Sequence, residues 1–429
     1  MSEPQSPLHI PDFLRLLGAR LLAVLSTLSM VVLIGYQTYD VARSDYGMDR
    51  PEAAFQLGLL GLAQFIPLLL LTPVAGIAAD RLDRRKIVLF ANLIDGAIAL
   101  LLGLFTYEDA LNLPILFTLA ALHGTARVFN GPAFSAIAPN VVPASLLPRA
   151  IAFSSIAWQG GTVVGPALGG LLFGYSASLP YFLSAAMLAA SGLLIMGIRP
   201  IRAAHDGEPA HPLRQILEGG QFVWRQKFIL GCVSLDLFAV LLGGATAMLP
   251  VFARDILAVG PEGLGIMRGA PAVGAASVAL LLSFRPIERH VGPKMLFAVA
   301  VFGAATIGFG LSTNFVLSLA MLALLGAADM VSVFIRNTLV QLRTPDNKRG
   351  RVSAISGLAI SASNELGEMQ SGIAAAFLGA VGAVVFGGAG AIIVTALWAW
   401  IFPELRKVQS FDQPPEEPDK ANQLKESAP

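Results

Sequence analysis

Glu365 and Glu368 stand three residues apart in an apolar stretch, so a helix places both carboxyls on one face. Like charges that close in a low dielectric favour one group holding a proton near neutral pH, the condition a proton-coupling site needs. Asp329 lies in another apolar run at midplane depth, while Asp95 and Arg127 fall near the middles of two consecutive runs. An ionisable residue at membrane depth costs about 2.5 kcal/mol or more and is by default a functional candidate with a partner. Asp95 and Arg127 are therefore expected to pair, either to brace the fold or to serve a site. One glutamate is open to pairing with Arg336 instead of carrying a proton. Asp236, in the inner third of its run, either snorkels or faces a cavity. Asp329, Glu365, Glu368 and Asp95 are the candidate proton carriers, with Arg127 as the partner for an anion or carboxylate.

Other chemistries find no support. The five histidines are scattered without metal-ligand spacing, and only His123 falls within an apolar run. Cys232 is the single cysteine, so neither an intramolecular disulfide nor a cysteine metal cluster can form, and it reads as a small buried hydrophobe. There is no Walker loop. An enzyme is not expected, nor a cofactor beyond a proton gradient as driving force.

The elements that must position these residues are membrane helices. Hydrophobic residues make up 55% of the chain and charged residues 13%, against about a quarter in soluble domains. Mean hydropathy is +0.69, and the net charge of +1 points to no nucleic-acid partner. Runs of about 20 apolar residues, the length that spans a bilayer, fall near 16–39, 54–78, 87–106, 113–137, 150–174 and 179–198. They resume near 228–252, 262–282, 294–312, 315–336, 352–377 and 380–402. The reading is an all-α integral membrane protein: a six-helix unit over 1–198, a linker over 199–227 and a second six-helix unit over 228–407. Residues 408–429 form a disordered tail rich in Pro, Glu, Asp and Lys. The linker holds Pro200, Gly207, Pro209 and Pro212, then an amphipathic stretch from Leu213 to Arg225 that could lie on the membrane surface. The polar first ten residues lack a basic n-region, so no cleaved leader is expected.

Orientation follows the Lys/Arg bias of short loops. With the N-terminus inside, twenty-three basic residues flank the spans on the inner side, against only Arg43, Arg50 and Arg254 outside. Both termini are then cytoplasmic. At an offset of 202, Pro143, Arg149, Ala152, Ser154 and Gly165 match Pro345, Arg351, Ala354, Ser356 and Gly367, each set opening the fifth helix of its half. That placement indicates duplication. The same offset aligns Arg127 with Asp329.

Two glycine motifs carry further information. After the second helix come Gly76, Asp80, Arg81, Asp83, Arg84, Arg85 and Lys86. Gly76 suits close packing near the membrane face, Asp80 can meet a helix N-terminus or an arginine, and the arginines anchor on the leaflet. A plain positive-inside loop would look similar. On the fifth helix, Gly161, Gly165, Pro166, Gly169 and Gly170 place small residues every fourth position, a ridge for close helix contact with a proline bend. Generic small-residue packing is the simpler alternative.

The first motif resembles the G-x-x-x-D-R-x-x-R-R loop of the major facilitator superfamily, and the second resembles the G-x-x-x-G-P-x-x-G-G string of its exporters. Asp83 departs from the pattern, standing where the family usually has glycine. Arg285 to Lys294 is a degenerate second-half counterpart without the aspartate. Asp236 to Asp255, Arg268 to Gly274, Leu342 to Pro345 and Gly350 to Val352 look like the enterobactin-exporter branch. The resemblance implies a gate formed by Gly76, Asp80, Arg81, Arg84 and Arg85 that latches the outward-facing state, and proton-driven antiport through the fifth-helix seam. It also implies a cavity lined by helices one, four, seven and ten, making Tyr36, Gln37, Asp236 and Arg127 candidate substrate contacts; Tyr39 reads as an aromatic-belt residue.

The function expected is secondary active export across the bacterial inner membrane, by alternating access, of a small amphipathic metabolite, siderophore or drug. The partners are the lipid bilayer, protons and the small-molecule substrate, and the chain is expected to be monomeric. A lipid flippase or uptake permease on the same scaffold is the alternative within the class. A non-transporting membrane receptor or assembly factor is the alternative outside it.

Overall fold

A computed structural model describes residues 6–200, 212–285, 287–345 and 348–411, with the side chains of Ile77, Asp80, Arg81, 212–217 and Ala354 outside the described set. Among the described residues every regular element is helical. The first bundle comprises α1 (Pro11–Ser44), α2 (Arg50–Arg81), α3 (Arg84–Tyr107), α4 (Leu113–Val141), α5 (Leu147–Tyr175) and α6 (Leu179–Met196). Then come α7 (Pro212–Arg225), α8 (Lys227–Leu242), the short α9 (Leu249–Val251), α10 (Gly260–Phe284), α11 (Val291–Leu311), α12 (Phe315–Leu342), α13 (Arg349–Ile401) and α14 (Pro403–Lys407). The linker stretch expected to be amphipathic is helix α7; the expected disordered tail lies outside the described residues beyond Phe411.

Among the described residues, ten helices are long and apolar enough to cross a membrane. Two further crossings complete the expected twelve. One is α4, 29 residues long, whose His123, Arg127 and Asn130 hold its hydropathy down. The other lies within α13, which runs 53 residues because two helices join at Gly379, at φ 72°. That left-handed conformation suits a residue without a Cβ. Both arms lie along α8: Gly367 packs near Leu241 on the outward arm, and Trp398 donates to Ser234 at 2.9 Å on the return. The protein is an all-α integral membrane protein of twelve transmembrane helices in two six-helix bundles.

The span after α7 is broken. α8 stops at Gly243 and Gly244, continues as a 3-10 turn (Ala245–Met248), and ends in a π turn over Phe252–Ile256. Carbonyls freed by the break are satisfied from neighbouring helices: Arg268 Nη1 donates to Thr246 O at 3.1 Å, and Ser371 Oγ to Gly244 O at 3.2 Å. Unpaired carbonyls would be costly in a bilayer.

The bundles meet along α2–α13 and α5–α10. At the end remote from Arg84–Lys86 the seam is sealed. A Cβ on Gly58 would lie 2.9 Å from Gly372 Cα, and one on Gly170 would lie 3.0 Å from Gly265 Cα. Ion pairs reinforce the seal. Asp255 accepts from the Tyr39 hydroxyl at 2.7 Å and faces Arg43 at 3.4 Å and Arg50 at 3.3 Å, while Arg254 meets Asp40 at 2.8 Å. Tyr39 is thus fully buried in the seal, not placed in the aromatic belt. At the end carrying Arg84–Lys86, the basic end, the halves part: a Cβ on Gly76, Gly131, Gly160 or Gly357 would meet nothing within 4 Å.

Candidate functional site

A cavity of about 270 Å³ lies between the bundles. Gln64 from α2, Arg127 from α4, Trp158 from α5 and Asn364 and Glu365 from α13 line it, with Arg20 of α1 at its mouth. Arg20 lies over the Trp158 ring at 6.0 Å, which gives the mouth a cationic, aromatic wall.

Two acid–base pairs lie here: one crosses the seam in this cavity, and the other lies within the second bundle beside a smaller void that shares Gln64. Arg127 Nη1 lies 3.9 Å from Glu365 Oε1, and Arg268 Nη2 lies 4.0 Å from Glu368 Oε1. Arg127 also donates to Gln64 Oε1 at 3.5 Å. Separations near 4 Å leave both carboxylates attracted to their arginines but not directly bonded, so a water or a ligand oxygen can enter each gap. The backbone makes room for this: a Cβ on Gly61 of α2 would sit 2.8 Å from Glu368 Cβ. Glu365 and Glu368 therefore address opposite bundles, Glu365 through Arg127 of the first and Glu368 through Arg268 of the second.

The other charged candidates sit elsewhere. Asp95 does not pair with Arg127; its Oδ1 meets His123 Nδ1 at 2.6 Å, both side chains fully buried inside the first bundle. Arg336 pairs with Asp236, not with a glutamate. Asp236 accordingly neither snorkels nor lines the main cavity: it is buried between α8 and α12, and Asp329 shares a small void with it inside the second bundle. Arg127 and Asp329, equivalent by sequence offset, occupy different compartments. Tyr36 packs edge-on against Phe173 with centroids 5.6 Å apart. The Gln37 amide is engaged within the first bundle, accepting from the Tyr181 hydroxyl at 2.6 Å and donating to Thr106 at 3.2 Å.

The glycine motifs divide their work. A Cβ on Gly165 would lie 2.8 Å from Leu25 O, and one on Gly169 3.1 Å from Ser29 Cβ, so these residues and Gly161 pack on α1. Gly170 and Pro166 instead face Gly265 of α10 across the bundle boundary. In the basic loop, Arg84 donates to Ala79 O and Ala136 O, each at 3.0 Å. Arg85 pairs with Asp83 at 2.7 Å and donates to Ile198 O at 2.5 Å. These bonds cap the ends of α2, α4 and α6, all in the first bundle. A Cβ on Gly76 would meet nothing within 4 Å, so the close packing expected there is absent while the halves are parted. Asp83 caps α3 by accepting from Arg85 N at 3.0 Å with an ordinary φ of −62°, so no glycine is required at this position. The side chains of Asp80 and Arg81 lie outside the described residues.

Sequence pattern alone does not mark Arg268, Gln64, Asn364 and His123 as site residues. Arg268 was detectable, since it is an arginine at membrane depth. His123 was too, being one turn from Arg127 and so on the same helix face.

Comparison with known proteins agrees with this architecture. A family model described as Major Facilitator Superfamily matches residues 20–368. The chain is 27% identical over 423 residues to the Enterobactin exporter EntS of Citrobacter koseri, covering 96% of each. It is 26% identical over 409 residues to that of Escherichia coli O127:H6, covering 92% of this chain and 93% of the relative. In fold it is similar to a bacterial homologue of the human lysosomal transporter Spinster, solved inward-facing and unoccupied: TM-score 0.69, 16% identity, with 92% of this chain and 96% of that one covered. The nucleoside transporter NupG gives a TM-score of 0.72 at 12% identity, covering 91% and 100%.

Proposed function

This chain belongs to the Major Facilitator Superfamily, and from that premise we propose that it is a proton-driven exporter of a hydroxyl-rich, siderophore-like amphipath in a bacterial inner membrane. The observation that carries the reading is the Arg127–Glu365 pair, 3.9 Å apart inside a cavity between bundles that pack backbone to backbone at the end remote from the basic loops. With the basic loops in the cytoplasm, that cavity is the inward-facing state of a rocker-switch cycle. A substrate hydroxyl donates to charged Glu365 while Arg127 donates to a second substrate oxygen. A proton on Glu365 removes the acceptor, so proton and substrate compete for one group. Competition of that kind is the linkage an antiporter requires. Glu368, paired across the second bundle, and Asp329, deeper in it, are the further proton carriers. The resemblance to enterobactin exporters over nearly the full chain supports both direction and substrate class.

Proteoliposomes holding inside-out protein should accumulate enterobactin when the lumen is acidified, and Glu365→Gln should uncouple uptake from the gradient. Retention of full proton-dependent transport by properly folded Glu365→Gln, Glu368→Gln and Asp329→Asn variants alike would refute the coupling. Transport solely in the opposite orientation would refute export.

A further inference from the structure

We infer that the Asp95–His123 dyad is a second protonatable site of the cycle, held inside the first bundle and switching on His123 Nε2. The inference rests on the proton-coupled reading above and adds a group to it.

Asp95 Oδ1 and His123 Nδ1 are 2.6 Å apart at 0% exposure on both side chains, so one proton is shared between them. The remaining atoms, Asp95 Oδ2 and His123 Nε2, are buried with no hydrogen-bond partner. Two states are then open to the dyad. With Nε2 bare, it carries one negative charge and two unsatisfied acceptors. With Nε2 protonated, it is a neutral ion pair with one unsatisfied donor, Nε2–H, and one unsatisfied acceptor, Asp95 Oδ2. Neither state is fully bonded, so neither is locked. The buried Asp236–Arg336 pair of the second bundle behaves differently: neither partner leaves an orphaned buried side-chain atom among the described residues. That pair is a brace, and the dyad is a switch.

The step is a simple gain of a proton by the Nε2 lone pair, supplied by water, with no other bond broken. A polar string connects the dyad with the cavity. Asn130, which lines the cavity, donates to Asn92 at 3.0 Å, and Asn92 stands three residues from Asp95 on α3. Asn92 in turn donates to Ser191 of α6 at 2.9 Å. The surrounding elements bring few charges to bear. Arg127 lies one turn from His123 on α4, with Glu365 of α13 beyond it. From α2 comes only the amide of Gln64, from α1 Arg20 at the cavity mouth, and from α6 Tyr181, committed to Gln37. Arg127 thus links the two sites.

The test needs no substrate at first. Full-length protein labelled with ¹⁵N-histidine in liposomes is followed by solid-state NMR, with the His123 signals identified as those lost in His123→Gln. Both the bare and the protonated form of Nε2 should be seen as pH is varied, and Asp95→Asn should alter the balance between them by removing the anionic partner. A single tautomer unchanged across the range would overturn the inference. With enterobactin as probe, His123→Gln should lower gradient-driven accumulation at least about tenfold while gradient-free exchange stays within about twofold. A parallel fall in both would mean a structural pair and would also overturn it. Wild-type protein that moves no enterobactin refutes the proposed substrate instead, and the NMR titration still decides the dyad.

Discussion

Gly170→Ala should drive the protein out of the conformation described above without unfolding either bundle. The added methyl would sit 3.0 Å from Gly265 Cα and 3.1 Å from Gly265 N, well inside the 3.5–4.0 Å contact of carbon atoms. Its neighbours are backbone, so no side chain can rotate away; α5 and α10 must part. Overpacking of this kind costs about 1–3 kcal/mol. Gly170 touches the other bundle only where the halves are sealed, so that penalty falls on the basic-end-open state. If the two states start near balance, the population ratio moves roughly 5- to 150-fold toward the alternative. The lone buried Cys232 makes the assay direct. In a Cys232→Ser background, a thiol introduced by Ser361→Cys reports cavity access from the basic side to a membrane-impermeant maleimide. Its labelling rate should fall at least about fivefold when Gly170→Ala is added. An unchanged rate in folded protein would refute the argument, as would a lowered melting temperature with unchanged labelling, because the strain would then lie within a bundle.

Asp255→Asn removes the negative charge shared by Tyr39, Arg43 and Arg50, and should loosen the sealed end by about 1 kcal/mol. Spin-label distances between residues 46 and 257 should lengthen, and an unaltered distribution would contradict this role. Burial works against the charge on Asp83, but its hydrogen bonds from Arg85 outweigh burial and hold the carboxyl below the usual range. Stability from Asp83 is therefore present above the unfolded value of about 4 and lost as pH falls through the lower folded value. Asp83→Ala should accordingly cost about 1 kcal/mol of helix cap at neutral pH and little in strong acid, read from thermal melts. Arg84→Ala should lower the melting temperature in both conformations, because the carbonyls of Ala79 and Ala136 lose their donor. A pure change in cavity labelling with no loss of stability would show that Arg84 acts in gating instead.

The crossings were legible because bilayer thickness fixes helix length and hydrocarbon fixes composition. Even α4, with three polar residues at membrane depth, kept enough apolar length to be read as a span. Partner choice was another matter. Asp95 was assigned to Arg127 on the strength of adjacent helices, yet His123 is on the same face of α4, and only the rotation of α4 against α3 decides between them. The pairings Arg127–Glu365 and Arg268–Glu368 join segments far apart in sequence, and no periodicity reports them. Asp236 and Arg336 show the same limit, as each was recognised as an intramembrane charge but neither was matched with the other. The motif glycines were legible as a ridge, but their division between α1 and α10 depends on which way Gly170 points, a difference of one residue and about 100° of helix rotation.

That division has a counterpart in the basic loop. Resemblance assigns Gly76, Asp80, Arg81, Arg84 and Arg85 to one latch, yet Arg84 and Arg85 are already committed to carbonyls of their own bundle, and Arg85 to Asp83 as well. Recruiting either across the seam would abandon charge-assisted bonds worth about 1.5–3 kcal/mol each. Gly76 has open space around it, so the closed state can bring the second bundle against this helix face without first displacing a neighbour. The loop thus separates into a frame and a contact surface. Arg84, Arg85 and Asp83 tie the ends of α2, α3, α4 and α6 together, and in the proposed cycle the open face at Gly76 would take the contact made when the basic end shuts. The sealed end follows the same logic: glycine contacts at Gly58 and Gly170 bring the backbones together, and the charges around Asp255 hold them there. In the proposed cycle, alternation would exchange this glycine-and-charge seal for one at the basic end, with the Arg127–Glu365 pair lying between the two.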